Sequence, residues 1–156
     1  MNKLLVLLST LVLGVFFSLA ANAQADKIVG KWQSIDEKTD KAKSIIRIYK
    51  SNGKYYGKID QLLNKKPGEE NPNCKHCGAY DGKYKTSDNK TVGLELIKDL
   101  EYDADDNEWT DGTIFDPEEG KEYTCSMEII DGKLNVRGSL DPWGIAGRTQ
   151  IWLPVK

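Results

Sequence analysis

Short apolar runs with alternating polarity, separated by turn-forming dipeptides, dominate the chain from residue 28 onward. Residues 43–49 (KSIIRIY) form a β-branched run, and Asn52-Gly53 then supplies the positive φ angles of a tight hairpin. Residues 55–63 read as the return strand. Residues 92–100 form another apolar stretch, expected to be a strand. Residues 109–115 and 122–130 flank Asp116-Pro117-Glu118-Glu119-Gly120, where Pro presets one turn angle and Gly tolerates the next. Asp131-Gly132 joins 122–130 to a strand over 134–140, and Asp141-Pro142-Trp143-Gly144 turns the chain into the last strand. About eight short strands at regular spacing predict an all-β meander, sandwich or barrel, and the sequential hairpins favour the up-and-down order of a small antiparallel barrel.

Alternation also assigns faces. Tyr123, Cys125, Met127 and Ile129 share the core face of their strand, opposite Glu122, Thr124, Ser126 and Glu128. Leu134, Val136 and Leu140 share a face, with Arg137 pointing outward. In the last strand Arg148, Gln150 and Trp152 lie on one side, opposite Thr149, Ile151 and Leu153. Gly30-x-Trp32 opens the first strand, and Gly147-Arg148 opens the last. If these two strands pair, Gly30, Trp32 and Arg148 are candidates for barrel closure, with the Arg covering the Trp. Alternatively, Arg148, Gln150 and Trp152 form the wall of a pocket for a small, partly apolar ligand. An Arg offers two parallel donors to a carboxylate and stays charged.

The first 23 residues stand apart. Lys3 precedes an apolar stretch from Leu4 to Leu19, and Ala21-Asn22-Ala23 has the small-x-small form of a cleavage site. The expectation is a secretory leader over 1–23 and a single barrel domain over 24–156, periplasmic or secreted, with no membrane insertion once the leader is removed. The chain's net charge is −2, and the leader's only charge is Lys3, so the mature chain sits at −3. That balance argues against nucleic acid, which favours a basic surface.

Residues 64–91 break the strand rhythm. This Lys-, Gly-, Pro- and Asn-rich stretch reads as a long ordered loop or lid, and it holds Cys74 and Cys77 of the chain's three cysteines. Cys74-Lys75-His76-Cys77 lacks the trailing His of a c-type haem site. A local Cys74–Cys77 disulfide, a zinc site drawing on His76 and Cys125, and a redox pair compete, and the disulfide is the reading taken. Cys125 reads as a buried small hydrophobe. Residues 103–108 alternate acids like a calcium loop but place Glu108 where that loop needs Gly. There is one His, and neither a Gly-x-Ser-x-Gly nor a His-Glu-x-x-His motif. No catalytic residue, metal or cofactor is therefore assigned, and the chain is expected not to be an enzyme.

Gly30-x-Trp32, the Cys74/Cys77 pair, residues 109–123, Val136-Arg137-Gly138 and Gly147-Arg148-Thr149-Gln150-Ile151-Trp152 together resemble the bacterial secreted family called domain of unknown function 2147. The resemblance covers nearly all of the mature chain. It implies a small periplasmic barrel similar to lipocalins and other calycins, and it adds no catalytic residue. Two functions follow as expectations. One is a carrier or sensor for a small apolar or carboxylate-bearing molecule. The other is an envelope protein-binding or inhibitor module that uses the Cys74/Cys77 loop with Tyr80 and Tyr84 as exposed anchors, its protein partner unknown.

Overall fold

The computed structural model describes residues 23–36 and 38–156. The expected leader lies outside them except for Ala23. Eight antiparallel strands form a closed barrel in sequence order: β1 (Gly30–Asp36), β2 (Lys41–Ser51), β3 (Lys54–Leu62), β4 (Glu95–Asp103), β5 (Glu108–Asp116), β6 (Lys121–Ile130), β7 (Lys133–Ser139) and β8 (Gly147–Pro154). The two-residue turns act as the sequence dictates. Asn52 and Gly53 take φ of 50° and 81°, and Asp131 and Gly132 take 50° and 73°, the left-handed pair that matches strand twist. The apolar stretch at 92–100 enters the sheet later than expected, because β4 begins only at Glu95.

Closure is made by β1 and β8 through Trp32 opposite Pro154 and Gln33 opposite Leu153. The backbone N–H of Val155 adds a bond of 3.0 Å to the Lys31 carbonyl.

One end of the barrel is solid. A short 3-10 turn, Asp26–Ile28, precedes β1 and plugs it, with Ile28 fully buried and Ala25 nearly so. The Trp32 indole N–H donates to the Ile28 carbonyl (2.8 Å), and the Trp109 indole N–H donates to the Ala25 carbonyl (2.9 Å). The Tyr55 hydroxyl donates to Asp26 (2.8 Å), and its ring meets Trp109 edge-on. Ile48, Leu100, Met127 and Leu134 fill this half. Packing is tight enough that a Cβ on Gly112 would lie 2.6 Å from Leu100 Cγ.

The connection 63–94 is ordered without becoming a strand. Asn73 bridges Lys90, and Cys74 is disulfide-bonded to Cys77. The loop then descends over the outer wall. There Tyr84, fully buried, stacks on the outward ring of Phe115 with centroids 4.4 Å apart. Tyr84 was expected as an exposed anchor; the apolar Phe115 on the outer face of β5 draws it in instead. Leu140 is a second correction. It was assigned to the core face of β7, but the strand stops at Ser139 and Leu140 is 72% exposed.

Candidate functional site

The other half of the barrel is hollow. A cavity of about 1060 Å³, mouth included, opens where β1, β3, β5 and β7 end. Strand alternation builds its wall in layers. Trp152, Ile46, Ile59, Val136 and Ile114 make an apolar floor above the plugged end. At mid-height the Ser34 and Ser44 hydroxyls, facing each other across β1 and β2, hydrogen-bond at 2.7 Å. Gln150 lies on the same inward face of β8, and its amide oxygen accepts the Trp152 indole N–H at 3.2 Å. That bond fixes the amide, so its NH₂ end is turned away from Trp152.

The rim is ionic. Arg148 Nη2 is 4.0 Å from Asp116 Oδ2, and its side chain is 59% exposed. Lys43 on β2 reaches Glu118 on the β5–β6 turn at 3.2 Å. The Tyr123 hydroxyl donates to Glu119 (3.1 Å), which, with Lys121 beside it, holds the Glu119 carboxyl below its ordinary range. Burial, reinforced by Glu119, pushes the Tyr123 hydroxyl up. Asp36 at the end of β1 is held low by the Thr39 hydroxyl and by the backbone N–H groups of Thr39 and Lys38. The Glu119 and Asp36 carboxylates therefore stay ionised at neutral pH.

Arg148, Gln150 and Trp152, grouped by parity, come together on the cavity wall. Gly30, Trp32 and Arg148 do not. Trp32 sits at the plugged end opposite Pro154, whereas Arg148 pairs with Gly138 six residues earlier in β8, about 20 Å away at strand spacing. The cation expected over Trp32 is replaced by the Ile28 carbonyl beneath it. Arg137 points outward and bonds the Gly144 carbonyl and Thr149 Oγ1. Cys74 and Cys77 hold each other, so neither offers a thiolate. Among the described residues no three His, Cys, Asp or Glu side chains are placed to hold a metal. The Ser34–Ser44 pair was overlooked in the sequence; a polar residue at every second position beside Trp32 and Ile46 is its only local mark.

A family model described as "Uncharacterized protein conserved in bacteria (DUF2147)" matches residues 30–153. The chain belongs to this family. The match reaches all eight strands of the barrel, and the family is bacterial. Among solved structures the fold is similar to one titled "Protein HP1028 from the human pathogen Helicobacter pylori belongs to the lipocalin family". The TM-score is 0.67 at 18% identity, over 83% of each chain. The eight-stranded barrel is thus lipocalin-like in fold. No curated protein matches the chain. No helix among the described residues is long and apolar enough to cross a membrane.

Proposed function

We propose that this chain is a carrier or sensor that holds one small amphipathic molecule in the open half of the barrel, and that it is a binding protein rather than an enzyme. The observation that carries the reading is the division of the interior. One half is plugged and filled, and the other is a cavity with an apolar floor at Trp152 and a cation, Arg148, at its rim. Apolar walls with a few placed polar groups are the usual make-up of a small-molecule site. An apolar tail would rest on Trp152, Ile46 and Ile59. An anionic head would meet Arg148 and the Gln150 amide, displacing the long contact to Asp116. A periplasmic or secreted location belongs to the same reading. It is supported by the leader pattern of residues 1–23 and by the Cys74–Cys77 disulfide, a bond favoured in oxidising compartments.

The test has two parts. Native mass spectrometry of the mature protein recovered from bacterial envelopes is expected to show one non-covalent adduct absent from the denatured mass. In titrations with dansylamino-undecanoic acid, Arg148→Gln is expected to weaken binding by roughly tenfold or more. The melting temperature should hold, since Arg148 is largely exposed. A bare native mass together with equal titration curves for both proteins would refute the reading.

A further inference from the structure

Three of the most exposed large apolar side chains among the described residues lie in one short segment. Leu140 is 72% exposed, Trp143 81% and Ile145 82%, all in the β7–β8 tip at 140–146. Lone exposed apolar residues are ordinary; a cluster on one tip marks a contact surface. Nor is this tip a loose loop. The Asp141 carboxylate accepts the backbone N–H groups of Trp143 (3.0 Å), Ile145 (3.0 Å) and Ala146 (2.5 Å). Leu140 N–H donates to the Ala146 carbonyl and Gly144 N–H to the Asp141 carbonyl. The Arg137 guanidinium binds the Gly144 carbonyl, and the Ser139 and Thr124 hydroxyls bind the Asp141 carbonyl. The fold thus spends hydrogen bonds to hold three apolar side chains out in water.

We propose that this tip docks the protein on the surface of a phospholipid bilayer, with the cavity mouth facing the lipid. Three observations favour a bilayer over a polypeptide partner. Three side chains fall well short of the roughly 800 Å² per partner that a stable protein interface buries. The N–H groups of residues 143–146 are already bonded within the tip, which leaves them unavailable for strand addition and suits a weakly polar surrounding. Its most exposed aromatic is Trp, the side chain enriched at the boundary between water and hydrocarbon. Leu140 and Ala146 also line the cavity mouth, so docking by the tip turns the mouth toward the membrane. The contact is peripheral and spans nothing. It stands on the tip alone, whatever the cavity holds.

Trp32, Trp109 and Trp152 are buried, so Trp143 reports on the contact by itself. With vesicles of three parts phosphatidylethanolamine to one part phosphatidylglycerol, Trp143 emission is expected to shift to the blue and to lose its quenching by acrylamide. Brominated phosphatidylcholine in the same vesicles should quench it. High salt should leave the binding in place, since apolar insertion carries it. Ile145→Ser and Leu140→Ser keep the reporter and are expected to lower the vesicle-bound fraction about tenfold with unchanged melting. The proposal is overturned if Trp143 stays open to acrylamide at saturating vesicles. It is equally overturned if Trp143 becomes shielded with rising protein concentration in the absence of lipid, which would identify a second copy as the occupant. Binding of vesicles without dansylamino-undecanoic acid would remove the cavity reading alone, and the reverse result would remove docking alone.

Discussion

Cys125 and Arg148 share the inward face of the sheet, and their surroundings give them opposite characters. Cys125 is buried beside Gly138, and burial pushes its thiol up to about 12. At pH 8 its reactive thiolate is then on the order of one part in ten thousand. Unreduced native protein is expected to show no thiol toward Ellman's reagent, one after unfolding in guanidinium, and three after reduction. A titrating thiol in the native state would contradict the burial. Cys125 was legible from strand parity alone, because its neighbours Tyr123 and Met127 fix the face. The place of Arg148 was only half legible. Parity put it on a wall with Gln150 and Trp152, but its distance from Trp32 depends on the β1–β8 register, which no local pattern encodes. The indole of Trp32 took a carbonyl from the turn before it, a partner that hydrophobic alternation does not reveal.

Among the elements, hairpins were the easiest to read and the long connection the hardest. Asn52-Gly53 and Asp131-Gly132 determine their turns within two residues, so strand order followed directly. The connection 63–94 depends instead on contacts far apart in sequence. Tyr84 stacks on Phe115, its hydroxyl donates to Glu122 at 2.5 Å, and Lys83 pairs with the same carboxylate at 2.6 Å. Burial works to raise the Glu122 carboxyl, but Lys83 and Tyr84 outweigh it and hold the group low. The same site raises the Tyr84 hydroxyl, by burial first and by Glu122 second. Tyr84→Ala should therefore cost about 3 kcal/mol in urea unfolding and open the connection to limited proteolysis. The disulfide closes only a short loop in the unfolded chain, so opening it with Cys74→Ser/Cys77→Ser should cost less, about 2 kcal/mol. If the two variants were cut equally fast, the ring stack would not be what fastens the loop to the wall.

For the molecule as a whole, the division into a filled and a hollow half sets what the barrel can do, and the β1–β8 seam sets how firmly it is closed. Trp32 and Gln33 are the β1 positions paired with β8 among the described residues, with the Val155 N–H bond beside them. Deleting residues 154–156 is expected to lower the calorimetric melting temperature by roughly 4–7 °C, from about 1–2 kcal/mol lost. An unchanged transition would mean that closure draws its strength elsewhere. The eight-strand, up-and-down order was legible from the turns. The hollow half was not, because a filled and an open barrel share the same alternation and differ only in how inward volumes sum at each height.

The seam also imposes a timetable on the chain. It joins its earliest strand to its last, so β1 keeps one bare edge through the making of every strand between. Hairpins β2–β3 and β6–β7 can form as soon as their few residues exist, but the cylinder cannot. Such a long-range joining step is slow, and a waiting edge invites foreign strands. A nascent or unfolded copy is therefore most exposed to mispairing just before β8 arrives, and β8 decides whether it becomes a closed barrel or an open, adhesive sheet.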